Sequence, residues 1–139
     1  MDKQELIEEL ERFEAFAQVD RSEYWIECGG VMLLHGLRDQ TSGVDITVSS
    51  DIYDRILDTV SKDDIVIFHY PKTGGRPAIS GFSYGMVDVH PQSADVPTIE
   101  VVKGFRCTTL AHVVLMKQQM NRPKDLVDIA TIEEFCNGI

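Results

Sequence analysis

Gly29-Gly30 stands where an aromatic and β-branched run, Tyr24-Trp25-Ile26-Glu27-Cys28, gives way to the mostly apolar Val31-Met32-Leu33-Leu34-His35-Gly36-Leu37. Glycine has no Cβ, so backbone N–H groups at a strand-to-helix turn can approach phosphate oxygens there, aided by the helix N-terminus. A double glycine is also an ordinary tight turn. Asp45, in the frame Val44-Asp45-Ile46, and Asp88, in the frame Val87-Asp88-Val89, each sit among β-branched residues. Two carboxylates on neighbouring strands can hold Mg²⁺ while phosphate oxygens complete its shell. The solvated face of a half-buried strand would carry the same residues.

A third group is cationic. Residues 103 to 124 contain Lys103, Arg106, Lys117, Arg122 and Lys124 and no Asp or Glu, in a chain whose 13 Lys+Arg and 23 Asp+Glu give a net charge of −10. Lys117 continues the Leu110, Val113, Val114 stripe at helical spacing, so it emerges from the core-facing side of its helix. From there it can snorkel along packed surface or reach a triphosphate. Arg122 and Lys124 flank Pro123 at a helix start, where Asp125 is a favourable first-turn anion.

The elements that must position these groups follow from periodicity. Leu6, Leu10, Phe13 and Ala17 predict a surface helix with one apolar stripe. Strand, glycine turn and helix follow over Tyr24 to Leu37, then a strand at Val44 to Val48 and a Ser49-capped helix carrying Ile52, Ile56, Leu57 and Val60. Ile65 to Tyr70 and Phe82 to His90 read as two neighbouring antiparallel strands joined by an exposed turn at Lys72-Thr73-Gly74-Gly75-Arg76-Pro77. A brief β-like piece at Ile99 to Val102 precedes a helix from Thr108 or Thr109 through Met116 and a last helix from Pro123 through Ile132. The order α-β-α-β-α-β-β-(β)-α-α predicts an α+β fold over residues 1–139, a small mixed β-sheet with helices packed against it, as a single domain.

An acidic chain with 43% hydrophobic residues is expected to form a real core and to avoid general DNA coating and anionic membranes, since both rely on attraction to phosphate. The acidic N-terminus, the lack of an apolar run near the roughly 20 residues that span a bilayer, and three scattered cysteines predict a cytoplasmic protein with reduced thiols. The four histidines have no zinc-ligand spacing and no G-x-S-x-G elbow occurs, so zinc chemistry and serine hydrolysis have no support.

Gly29-Gly30, His35-Gly36-Leu37-Arg38, Thr41 and Val44-Asp45-Ile46 together resemble the signature of the DNA-polymerase-β-type nucleotidyltransferase superfamily. The chain is most similar to its small AbiEii-type and minimal members, with a toxin–antitoxin-like setting. Leu110-Ala111, Lys117 and Arg122-Pro123-Lys124-Asp125-Leu126, with Asp128 one turn on, extend the likeness over residues 25–132. The resemblance implies Mg²⁺-dependent transfer of a nucleotidyl group from an NTP to a hydroxyl on a protein or RNA acceptor. By position it makes Gly29 and Gly30 the triphosphate cradle, Asp45 and Asp88 catalytic metal ligands, and Lys117 a phosphate contact. Arg38, Thr41, Arg122 and Lys124 are further nucleotide-binding candidates. The family's first metal-binding aspartate falls at Gly43, which offers no ligand; Asp39, a few residues upstream, is the substitute within reach of a folded-back loop. Catalysis is therefore in question, and the alternative is an inactive binding module or an inhibitor acting through protein–protein contacts. A chain this small has no second domain to choose an acceptor, so a homo-oligomer or a partner is expected to supply that surface.

Overall fold

Asp2 accepts a hydrogen bond from the Glu5 backbone N–H, and the Glu5 side chain accepts one from the Asp2 N–H, closing a capping box that starts α1 (Lys3–Ala17). Its buried residues are the predicted stripe Leu6, Leu10, Phe13 and Ala17. The computed structural model describes residues 1–74, 78–93 and 95–138, so Gly75, Arg76 and Pro77 of the expected turn lie outside the described residues. After α1 come β1 (Tyr24–Glu27), α2 (Gly29–Leu34), β2 (Val44–Val48), α3 (Ser50–Thr59), β3 (Val66–Tyr70), β4 (Ile79–Tyr84) and β5 (Val87–Pro91). The chain ends in β6 (Ile99–Val102), β7 (Phe105–Thr108), α4 (Leu110–Met120) and α5 (Pro123–Asn137). This is the expected α+β class.

The described strands form one mixed sheet ordered β3-β4-β5-β2-β1-β7-β6. β2 is antiparallel to β1 and parallel to β5, while β1 is parallel to β7. Alternation sends Tyr24, Ile26, Val44, Ile46, Val48, Phe82, Val87 and Val89 into a core shared with α1, α2 and Ile56 of α3. The opposite face carries the polar members of the same strands.

Two expectations about strands need correction. The run Phe82 to His90 is not one strand: it turns at Gly85, where φ is +55°, and divides between β4 and β5. β7 was not anticipated. It returns from β6 through Lys103 and Gly104, whose φ values of +54° and +84° form a tight reversal of the kind that joins paired strands. The helix expected to end at Met116 runs to Met120. Thr109 caps its start, accepting from the His112 N–H, and Asn121 ends it in the left-handed conformation.

Gly30 is packed rather than open: a Cβ there would lie 2.7 Å from Ile26 Cγ2 and 3.0 Å from Val44 Cγ2. Both neighbours are buried and β-branched, so neither yields cheaply. Gly30→Ala is expected to lower the unfolding free energy by about 1–3 kcal/mol, the usual cost of overpacking, read as a lower urea midpoint at unchanged slope. An unchanged midpoint would show that this turn does not need glycine for packing.

Candidate functional site

Strand register brings the two sequence-predicted carboxylates together. Asp45 on β2 is the register partner of Asp88 on β5, and on its other side it faces Glu27 of β1. Ser83 of β4 is opposite Asp88, so Glu27, Asp45, Asp88 and Ser83 form a polar row across four strands on the face opposite the core. The next row holds Thr47 and His90. Ser83 Oγ donates to Asp88 Oδ1 at 2.5 Å, Thr47 Oγ1 donates to Glu27 Oε2, and His90 Nε2 lies 3.1 Å from Asp45 Oδ1. Burial works against a charge on His90, but the hydrogen bond and charge of Asp45 outweigh it and raise the imidazole pKa. Glu27 and His90 escaped the sequence reading as members of this row. Glu27 ends the aromatic strand, and His90 lies two residues beyond Asp88, so same-face alternation was the signal that could have found both.

The glycine turn follows directly after Glu27. Cys28 enters α2 with φ +56° and ψ −122°, an unusual conformation for a residue with a Cβ. Burial pushes its thiol pKa up to about 12, and the charges of Asp45 and Glu27 add to the shift while Lys117 opposes it. That thiol therefore feels both the carboxylate row and the Lys117 charge. A Cβ on Gly29 would come within 2.8 Å of Arg38 Nη1 and 3.3 Å of Thr41 Oγ1, so Arg38 overhangs this glycine. Thr41 is buried and its hydroxyl donates to the Gly43 carbonyl at 2.9 Å, fixing the loop into β2.

Lys117 emerges on the core-facing side of α4, as its spacing predicts, and is 6% exposed. Its ammonium lies 2.9 Å from Asp128 Oδ2 and 3.6 Å from Asp125 Oδ1. Arg38 Nη2 donates to the same Asp128 oxygen at 2.6 Å, and Arg122 binds Asp125 with two guanidinium nitrogens at 2.7 and 3.1 Å. Three of the cations assigned to nucleotide are thus joined to two carboxylates of α5, leaving one surplus positive charge, while Lys124 is exposed. Burial alone would raise both carboxyls. The hydrogen bonds of Arg122 to Asp125, and of Lys117 and Arg38 to Asp128, outweigh it and hold both below the ordinary 3.8. Asp39 is exposed in the loop before β2.

Among the described residues, no group of three or more His, Cys, Asp and Glu is arranged to enclose a metal ion. Asp45 and Asp88 instead offer a two-carboxylate edge, which suits a Mg²⁺ that arrives with phosphate and water ligands of its own. Cys28, Cys107 and Cys136 are free thiols. Among the described residues no helix is long and apolar enough to cross a membrane.

No protein-family model matches the chain, and no curated protein does either. Two solved structures are similar to it. JHP933 from Helicobacter pylori shares 12% identity at a TM-score of 0.45, over 77% of this chain and 56% of that one. An H. pylori protein designated a nucleotidyltransferase shares 12% identity at a TM-score of 0.39, over 68% of this chain and 49% of that one. The chain spans about half the length of these two proteins.

Asp128→Ala leaves the buried Lys117 ammonium and the Arg38 guanidinium without their shared partner. It is expected to cost about 3–5 kcal/mol in urea unfolding near neutral pH, and Lys117→Met added to Asp128→Leu to restore most of it. Because Asp125 and Asp128 bind protons less readily folded than unfolded, their contribution is complete above 3.8 and lost as pH falls through their lowered values. Acid titration of the wild type should show that loss, and Asp125→Asn with Asp128→Asn should flatten it.

Proposed function

We propose that this chain is a nucleotidyltransferase-like domain that binds Mg·NTP. The observation that carries the reading is the register pairing of Asp45 with Asp88 on adjacent parallel strands, beside the turn at Cys28-Gly29. In this reading Asp45 and Asp88 take the metal, and the triphosphate lies toward Gly29, Arg38 and Lys117, where the cluster keeps one positive charge beyond its carboxylates. Bound Mg²⁺ would neutralise phosphate charge and orient the phosphoryl group for attack. The chain's own part is to fix the carboxylates by strand register, to hold Arg38 over Gly29 through Asp128, and to set the loop into β2 through Thr41.

Position 43 favours binding over turnover. Gly43 presents no oxygen from a side chain, and a Cβ there would lie 3.1 Å from the Met86 carbonyl oxygen. The second reading, a binding module without catalysis, rests on that position. An acceptor hydroxyl on protein or RNA belongs to the active form of the reading, and an acceptor-free module to the inactive one.

Calorimetric titration with each of the four Mg·NTPs at low ionic strength tests the proposal. Binding is expected for at least one, absent without metal and weakened about tenfold or more in Asp45→Asn, the loss of a charged ligand. Gly43→Asp is expected to tighten metal binding once the Met86 carbonyl adjusts. If none of the four binds, the nucleotide reading fails and the chain acts through partner contacts.

A further inference from the structure

On the side of Asp88 away from the glycine turn, the polar row meets a pocket of about 230 Å³. Pockets that enclose a whole small molecule hold roughly 300–1,000 Å³, so this one suits a single side chain or head group. Asp45, Asp88 and Ser83 line it along the row together with His90, which shares Asp45, and among the described residues no lysine or arginine does. Its far wall is aromatic. Phe68 and Tyr70, two residues apart on β3, stack with centroids 5.6 Å apart and planes 30° apart. Phe68 lies over Gly81, where a Cβ would come within 2.9 Å of its ring, and it meets the His90 ring edge-on at 5.6 Å. Tyr70 is 62% exposed, so its ring is open to an incoming group.

Carboxylates facing stacked rings select charge and shape together. A phosphate is repelled, and a neutral apolar group would desolvate Asp45 and Asp88 without compensation. A flat or compact cation gains from both walls, because ring faces and carboxylates attract the same sign.

We propose that this pocket receives an organic cation, the guanidinium or ammonium head of a side chain offered by a basic protein partner. Asp45 and Asp88 are its counter-charges, and Phe68 and Tyr70 its wall. The chain's net charge of −10 draws such a partner toward the surface over long range. Cation binding stands independently of the nucleotide reading. Only its consequence rests on that reading: a partner seated here occupies the carboxylates that Mg·NTP would need, so the two ligands exclude one another.

The test is a titration of the full chain, free of metal and nucleotide, with N-butylguanidinium and with its neutral counterpart N-butylurea, followed by amide chemical shifts. Saturable shifts at Asp45, Phe68, Tyr70, Ser83, Asp88 and His90 are expected for the cation, with much weaker response to the urea. Tyr70→Ala, at an exposed position that tolerates truncation, should weaken the cation about fivefold, and Asp88→Asn about tenfold. Mg²⁺ should displace the cation. Equal response to both probes, shifts elsewhere on the chain, no saturation, or indifference to Tyr70→Ala overturns the proposal. If the cation binds and no Mg·NTP does, the nucleotide reading alone fails. If Mg·NTP binds and the cation does not, this proposal alone fails.

Discussion

The register of β2 between β1 and β5 is the constraint on which the carboxylate row, and with it the candidate site, depends. Val44, Ile46 and Val48 of β2 are buried while Asp45 between them faces outward. A slip of one residue would send Asp45 into the core and three apolar side chains into water, so hydrophobic burial itself fixes the carboxylate's position. The same pairing sets Glu27 and Asp88 on either side of it. A site built this way needs no dedicated loop to hold its acids.

The cations are positioned differently, by charge rather than by pleat. Lys117 is buried on α4, Arg38 comes from the segment after α2 and Arg122 from the start of α5, and Asp125 and Asp128 join them. Buried ion pairs of this kind gain little net stability, because desolvation opposes the attraction, yet breaking one is costly. The cluster therefore acts as a geometric lock between the C-terminal helices and the glycine turn. Its carboxylates also set how much positive charge remains on offer to an anion.

Much of this was legible in the residues, and the exceptions have physical causes. The Leu6 to Ala17 stripe, the Ser49 and Thr109 caps and the inward direction of Lys117 are local patterns, and local patterns survive folding. β7 is a four-residue strand whose only local signal is the Lys103-Gly104 reversal, and its place beside β1 is a long-range pairing that no window of sequence contains. The division of Phe82 to His90 turned on Gly85, which an apolar run on both sides disguised. Asp125 was legible as a first-turn anion but not as a partner of Lys117, because that pairing depends on how α4 and α5 pack. Glu27 and His90 were hidden for the same reason: a row across strands exists only once register is set.

The three thiols differ in a way that makes the molecule experimentally addressable. Burial pushes Cys28 and Cys107 up to about 12, with neighbouring carboxylates reinforcing the shift, so at neutral pH both are protonated; Cys107 is buried and Cys28 half-buried. Cys136 is exposed near the end of α5, the helix that carries Asp125 and Asp128. An alkylating fluorophore or spin label would thus mark this position ahead of the other two without mutagenesis, on the element whose first turns hold the cation cluster.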